Sequence, residues 1–320
     1  MRDVHIGAAQ LGPIARDEPR DKVVARLVEL LHQAAGVGCE LVVFPELALT
    51  TFFPRWYLDE GEGAEIEGDT SELDAFYETS MPGPDTQPLF DEALRLGIGF
   101  SLGYAELTPP DDDGRRRRFN TTILVERDGS IVTRFRKVHI PGHELHEPWR
   151  EFQHLERRYF EESHEGFPVH DAFGGVVGLA TCNDRRWPET YRVMGLRGVE
   201  LIMIGYNTPL HYAPDPTQNA LQGFHNQLVM QAGAYQNGTW VVGVAKGGTE
   251  EGVESLAQSM IIAPSGQVVA QAVTTGDELV SARLDLDMCR RYKETLFDFD
   301  RYGRPEMYGI IAEVKKGVGT

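Results

Sequence analysis

Cysteine is scarce and long apolar runs are missing. Cys39, Cys182 and Cys289 are the only three cysteines in 320 residues, and they lie far apart. An odd, dispersed set argues against a disulfide framework and against a CxxC metal or redox site. A reducing cytoplasm is the expected compartment. No stretch approaches the roughly 20 apolar residues that a membrane helix needs. Met1-Arg2-Asp3-Val4 runs straight into a strand-like segment without an apolar h-region, so no signal peptide is expected. Positive charge is also in short supply: 31 Lys and Arg face 49 Asp and Glu, a net charge of −18. Such a surface repels nucleic acid and anionic lipid, and neither is expected as a partner. Short-period repeats and low-complexity segments are absent.

What is present is an α/β alternation. Val4 to Gln10 reads as a strand. Arg20 to Ala35 has helical spacing in Val23, Val24, Leu27, Leu30, Leu31 and Ala34, with Gly36 and Gly38 as the stop. Leu41-Val42-Val43-Phe44 is a short apolar run of the kind buried on both faces of a sheet. Pro45 ends it and Glu46 follows. Further helices are expected over Leu89 to Leu96, from Trp187-Pro188-Glu189 onward, and over Gln218 to Gln236. Strands are expected over Ile98 to Glu106, Val176 to Ala180, Leu201 to Ile204, Thr239 to Ala245 and Leu279 to Leu284. Two hairpins are expected, Asn120–Glu126 with Ile131–Val138 around Asp128-Gly129, and Met260–Ala263 with Val268–Ala272 around Ser265-Gly266. Each half therefore has buried strands, helices and a hairpin. The expected architecture is α/β, a four-layer α-β-β-α sandwich of two mixed sheets. Residues 304–320 read as an arm beyond the core.

Three residues sit at strand ends. Cys182 follows the strand Val176 to Ala180, Glu46 follows Leu41 to Phe44, and Lys137 closes a hairpin strand. Ends of buried strands are where α/β clefts form. A thiol there can be assisted by a base and by a cation. Singly, each residue more often has a structural role, and spacing alone does not select this triplet. Gly99-Phe100-Ser101-Leu102-Gly103 matches the serine hydrolase G-x-S-x-G elbow, but strand-like residues continue on both sides where a turn is required. His139, His143 and His146 raise a metal hydrolase of the dihydropyrimidinase type, yet Pro141-Gly142 breaks the helix that would align them, and no HExxH occurs. No metal or other cofactor is expected.

Several segments carry a family resemblance over nearly the full length. They include Phe44-Pro45-Glu46-Leu47, Arg136-Lys137-Val138-His139, His154-Leu155-Glu156-Arg157-Arg158-Tyr159, Cys182-Asn183-Asp184-Arg185-Arg186-Trp187-Pro188-Glu189 and Tyr206-Asn207-Thr208-Pro209. With these the chain resembles the nitrilase superfamily of Glu-Lys-Cys hydrolases, and within it the N-carbamoyl-D-amino acid amidohydrolases. The resemblance implies one hydrolase domain over 1–303. It implies Glu46 as general base, Lys137 and the Asn183 backbone facing an oxyanion, Cys182 as nucleophile, and Glu156 orienting them. It further implies His139, His154 and His225 in the pocket, Asn207 and Thr208 bonding the substrate, and Arg185 or Arg186 pairing with its carboxylate. The implied substrate is a small N-carbamoyl-D-amino acid. A homodimer or homotetramer is expected, with the 304–320 arm at an interface. Other superfamily amidases, β-ureidopropionase or N-carbamoylputrescine amidase, stand as alternatives, and so does a silent binding protein that should lack one of the three central residues. The segment from Leu58 to Thr70 reads as an acidic insertion that either stays remote or forms the pocket rim.

Overall fold

In a computed structural model, residues 2–59, 66 and 68–313 are described. Two six-stranded mixed sheets form the centre. The first contains β1 (Asp3–Gln10), β2 (Leu41–Val43), β3 (Gly99–Leu107), β4 (Arg118–Val125), β5 (Ile131–Arg136) and, from the chain's far end, β14 (Glu278–Asp285), in the order β14-β1-β2-β3-β4-β5. The second contains β6 (Val169–Ala172), β7 (Gly175–Thr181), β8 (Leu201–Tyr206), β9 (Trp240–Ala245), β12 (Met260–Ile262) and β13 (Val268–Gln271), in the order β13-β12-β9-β8-β7-β6. A separate hairpin, β10 (Gly247–Glu250) with β11 (Val253–Leu256), stands beside them.

The sheets face each other, β2 and β3 against β8 and β4 against β7. Helices Arg20–Gly36 and Gln87–Leu96 cover the outer face of the first sheet. Helices Pro188–Leu196 and Gln222–Asn237 cover the second. The first helix has no side-chain N-cap, so its place rests on the buried stripe of Val23, Val24, Leu27, Leu30, Leu31 and Ala34. Each of these valines and leucines contributes about 1.5–3 kcal/mol when fully buried. This is the four-layer sandwich that the sequence pattern implies.

Boundaries shift by a few residues, and two departures matter. The segment before the long helix Gln222–Asn237 is a tight turn, Pro216–Leu221, rather than regular helix. The hairpin β10–β11 has no sequence forecast, because Gly-Gly-Thr-Glu lacks apolar alternation. Of the acidic segment near 58–70, Leu58 and Asp59 are buried, and Asp59 accepts from Arg158 Nε at 2.9 Å. Residues 60–65 and 67 lie outside the described residues. Of the 304–320 arm, Pro305–Met307 forms a 3-10 turn and Gly309–Glu313 a short α-helix, both exposed, and 314–320 lie outside the description. Among the described residues no helix is long and apolar enough to cross a membrane.

The two sheets clasp one short segment between them. A β-carbon on Gly103 of β3 would stand 2.7 Å from Glu46 Cα and 2.7 Å from the Pro45 carbonyl oxygen. A β-carbon on Gly205 of β8 would stand 2.5 Å from Glu46 N. Both glycines are needed for close backbone approach. Gly99 likewise has no room, since a β-carbon there would meet the Val125 carbonyl oxygen at 2.5 Å. The G-x-S-x-G pattern is therefore a packing motif within a continuous strand, with Ser101 buried in it. Replacing Gly205 by Ala should displace the Pro45–Glu46 backbone. We expect kcat to fall roughly 10–100-fold, as small misplacements of reacting groups do, with a stability loss of about 1–3 kcal/mol. Steady-state kinetics and urea unfolding check both figures, and unchanged kcat in G205A would refute the clasp.

Candidate functional site

Lys137, Cys182 and Asn207 follow directly on β5, β7 and β8, and Glu46 stands three residues past the end of β2. β2 and β3 run parallel, and β5 is returned to their direction by two antiparallel steps. β7 and β8 run parallel in the facing sheet. All four ends thus emerge along one edge of the sandwich. The antiparallel β4 begins at that edge and supplies Asn120.

At the centre is one ammonium between two carboxylates. Lys137 Nζ donates to Glu46 Oε1 at 2.7 Å and to Glu156 Oε2 at 2.5 Å. All three side chains are essentially inaccessible. Burial alone would drive the Lys137 ammonium toward neutrality. The Glu156 and Glu46 carboxylates outweigh it and hold lysine above its ordinary value. Burial likewise pushes Glu156 up, but Lys137 and His154 bring it below the usual carboxylate range. His154 Nε2 lies 2.9 Å from Glu156 Oε1. Asn120 Nδ2 donates to Glu46 Oε1 at 2.7 Å and stands 3.5 Å from Glu156 Oε2. The Asn207 backbone N–H donates to Glu46 Oε2 at 2.9 Å, and its side-chain amide donates to the Glu46 carbonyl at 2.9 Å.

Cys182 opens a short turn, Cys182–Arg186, and adopts φ 46°. That left-handed conformation is uncommon for any residue with a β-carbon, and a reciprocal cap holds it. Thr181 and Asp184 exchange side-chain-to-backbone hydrogen bonds. The remaining Asp184 oxygen accepts from the His139 backbone N–H at 2.9 Å and lies 2.8 Å from His139 Nδ1. The turn after β7 is thereby fixed to the chain that carries Lys137. The Cys182 thiol donates to the Asn207 carbonyl, Sγ to O 3.4 Å. Burial, then the Glu46 carboxylate, pushes this thiol up to about 11, against the pull of Lys137 and Arg185.

The thiol opens on a cavity of about 710 Å³, within the usual range for small-molecule sites. Asn183, Asn207, Thr208, His154, His225 and Arg186 line it. Glu46, Lys137 and Glu156 lie beneath the thiol, outside the lining. A second cavity of about 760 Å³ runs between Arg16–Arg20 and Phe76–Glu78, holds no thiol, and shares no lining residue with the first.

Two expected positions need correction. Arg185 does not line the cavity. Its guanidinium is buried, with Nη1 on the Cys182 carbonyl at 2.7 Å, Nη2 on Thr208 Oγ1 at 2.7 Å and Nε on Asn226 Oδ1 at 2.9 Å. It also lies 4.2 Å over the Tyr206 ring. Each of its three nitrogens is engaged within the fold. His139 does not line the cavity either, since it stacks on Trp187 and Phe167 and pairs with Asp184. His143 meets Gln153 Oε1 at 3.1 Å and His146 stacks on Tyr57, so the three histidines have separate neighbours. Among the described residues no group of three His, Cys, Asp or Glu is arranged to hold a metal ion. No described residue of 58–70 lines the cavity.

Sequence reasoning missed Asn120, Asp184 and Glu250. Asn120-Thr121-Thr122 is a polar run opening a buried strand, which is a usable signal. Asp184 stands two residues past Cys182, where a cap is expected. Glu250 gave none, being one acid among several. It lines the cavity and accepts from Phe52 N at 2.7 Å, Ile14 N at 3.0 Å and Arg55 Nη2 at 2.7 Å, fixing the chain beyond Glu46.

The family model for carbon-nitrogen hydrolases matches residues 5–294. A citrullinase from Francisella tularensis is 31% identical over 318 residues, covering 97% of this chain and 99% of that one. An N-carbamoylputrescine amidase from Arabidopsis thaliana is 24% identical over 300 residues, covering 90% of this chain and 89% of that one. The crystal structure of a carbon-nitrogen hydrolase from Helicobacter pylori G27 superposes with a TM-score of 0.79 at 20% identity, covering 98% of this chain and 99% of that one. With its fold, its strand-end cluster and a model match over most of its length, the chain belongs to the carbon-nitrogen hydrolase family, the nitrilase superfamily.

Proposed function

We propose that the protein hydrolyses the carbamoyl C–N bond of N-carbamoyl amino acids, those of D-configuration in particular, through a covalent intermediate on Cys182. The observation that carries this reading is Arg186. It lines the same cavity as the thiol, donates to the neutral Gln222 Oε1 at 3.1 Å, and has no carboxylate partner among the described residues. The other arginines of that cavity, Arg55 and Arg150, are paired with Glu250 and Glu147. A guanidinium free of carboxylate at a pocket wall suits a substrate carboxylate.

The chemistry follows from the cluster. Glu46 takes the Cys182 proton as the sulfur attacks the carbamoyl carbon. Lys137 and the Asn183 backbone N–H hold the developing oxyanion. A ureido nitrogen leaves with the proton that Glu46 received. Water, deprotonated by Glu46, then cleaves the acyl–sulfur bond, and the carbamic acid released falls apart to carbon dioxide and an amine or ammonia. Arg185 acts from behind, fixing Thr208 and the Cys182 carbonyl. A second reading has support from the relatives: a ureido group at the far end of an amino acid, as the citrullinase name suggests, or N-carbamoylputrescine. Both share the carbamoyl chemistry. The cationic end of carbamoylputrescine would meet Arg186 unfavourably.

A substrate panel decides between these. N-carbamoyl-D-phenylalanine should be cleaved roughly tenfold or more faster in kcat/KM than its L-enantiomer, with N-carbamoyl-β-alanine, citrulline and N-carbamoylputrescine as comparisons. Equal rates on both enantiomers would sink the D-specific reading, and a preference for carbamoylputrescine would transfer the assignment. Arg186→Leu should lower kcat/KM for carboxylate substrates about 10–100-fold, chiefly through KM, the value of a charged hydrogen bond. If R186L instead leaves KM unchanged, the carboxylate sits elsewhere. The resting thiol should also be neutral at pH 7. Alkylation of Cys182 by iodoacetamide, followed by peptide mass spectrometry, should keep accelerating up to at least pH 10, because the thiol titrates near 11. A plateau below pH 7 would mean a preformed thiolate.

A further inference from the structure

Asn120 stands inside the charged cluster, and no role above uses it. It is fully buried near the start of β4. Its backbone carbonyl accepts from the Lys137 N–H at 2.9 Å, so chain and side chain both engage the cluster. Its amide nitrogen faces the same two oxygens that Lys137 Nζ faces, Glu46 Oε1 and Glu156 Oε2. The four groups close a ring of two donors and two acceptors. The amide's own oxygen, Asn120 Oδ1, has no hydrogen-bond partner among the described residues.

That orphan is informative. An unpaired buried acceptor is costly, and native structures hold few of them. Turning the amide over would place its oxygen against two carboxylates and leave both short of a donor. The orientation is therefore dictated by the carboxylates. One ammonium cannot neutralise two anions, and a donor without charge of its own shares the excess.

We propose that Asn120 is a positioning residue for the catalytic centre, holding Glu46 beside the thiol in its ionised form without adding a second cation. The choice of amide has a reason. A lysine or arginine there would neutralise the cluster and weaken Glu46 as a base. An apolar residue would leave Glu46 Oε1 with Lys137 alone. Around Glu46 the charged and titratable groups are Lys137, Glu156 and Cys182 within the cluster, His154 behind Glu156, and Lys246 on the segment after β9. The Asn207 N–H faces its other oxygen. Removing the Asn120 N–H leaves that set unchanged but takes one hydrogen bond from the carboxylate form of Glu46. A bond to the charged form favours it, so its loss weakens the hold on that form.

The inference rests on the Glu46–Lys137–Cys182 reading and not on the identity of the substrate. Asn120→Ala and the isosteric Asn120→Asp test it. With any amide that the wild type turns over, the acid limb of the kcat/KM profile should move up by about one pH unit in N120A. It should move further in N120D, where a third carboxylate replaces a donor. The drop should fall on kcat, with KM nearly unchanged. Difference infrared spectra supply a readout that needs no turnover. The protonated-carboxyl band that disappears in E46Q should titrate at higher pH in both variants. Thermal unfolding confirms that each is folded, and N120D preserves the test if N120A is not. Loss of activity with an unmoved acid limb and an unmoved Glu46 band would overturn the proposal and leave Asn120 a packing residue. If the Glu46 band shifts as expected while no carbamoyl compound is cleaved, the inference stands and only the substrate reading fails.

Discussion

Everything at this edge depends on placing one buried ammonium against two buried carboxylates. Removing three charges from water is costly, and their mutual attraction offsets that cost only when the geometry is good and the remaining lone pairs are satisfied. Here Asn120 and the Asn207 backbone, both uncharged, donate to those lone pairs, and His154 stands against Glu156 Oε1. The cluster keeps one unit of negative charge. Lys137 is therefore shared between two anions, and the proposed role of Glu46 as proton acceptor draws on that excess. That excess also explains why the two sheets must approach so closely at Gly103 and Gly205. Glu46 comes from one sheet and Asn207 and Cys182 from the other. A gap between the layers would admit water and weaken every interaction in the ring.

The same excess charge sets the state of the thiol. Many catalytic cysteines rest as thiolates beside an imidazolium or a helix N-terminus. Cys182 instead faces a net anionic cluster in a buried setting, and both features favour the neutral form. Its resting hydrogen bond goes to the Asn207 carbonyl and not to Glu46. In the proposed mechanism, proton transfer then belongs with substrate attack, when a carbonyl oxygen becomes negative and Lys137 would gain a third anion to stabilise. A thiol that rests neutral is also less exposed to oxidation, since susceptibility follows thiolate character.

The fold was legible in the sequence because buried strands announce themselves as apolar runs. Leu41–Val43 and Leu201–Tyr206 are buried at every residue. The positions of Glu46, Lys137 and Cys182 at strand ends were equally readable, but their convergence was not, because it depends on how two sheets stack. Family resemblance supplied that link. It could not tell Arg185 from Arg186, nor place His139 outside the cavity, because motif neighbours share a segment without sharing a direction. Asn120 and Glu250 escaped for a related reason. Their work is to accept or donate across the gap between elements, and nothing in their local sequence encodes the partner.

The two adjacent arginines show how the turn after Cys182 separates tasks. Successive residues of a tight turn point in different directions. Arg185 points inward, onto Tyr206, Thr208 and the Cys182 carbonyl. Arg186 points to the cavity and Gln222. One guanidinium is consumed in holding a left-handed cysteine and the strand-end loop that faces it, and the next remains available for a ligand. Because both hang from the same five-residue turn as the thiol, an anion held by Arg186, as proposed, would sit on the same local segment as Cys182. The variable side chain of such a substrate would then meet other lining residues, Phe152, Tyr212 and Val253 among them. On the proposed reading, recognition of the constant part of a substrate is strict while recognition of the variable part is loose.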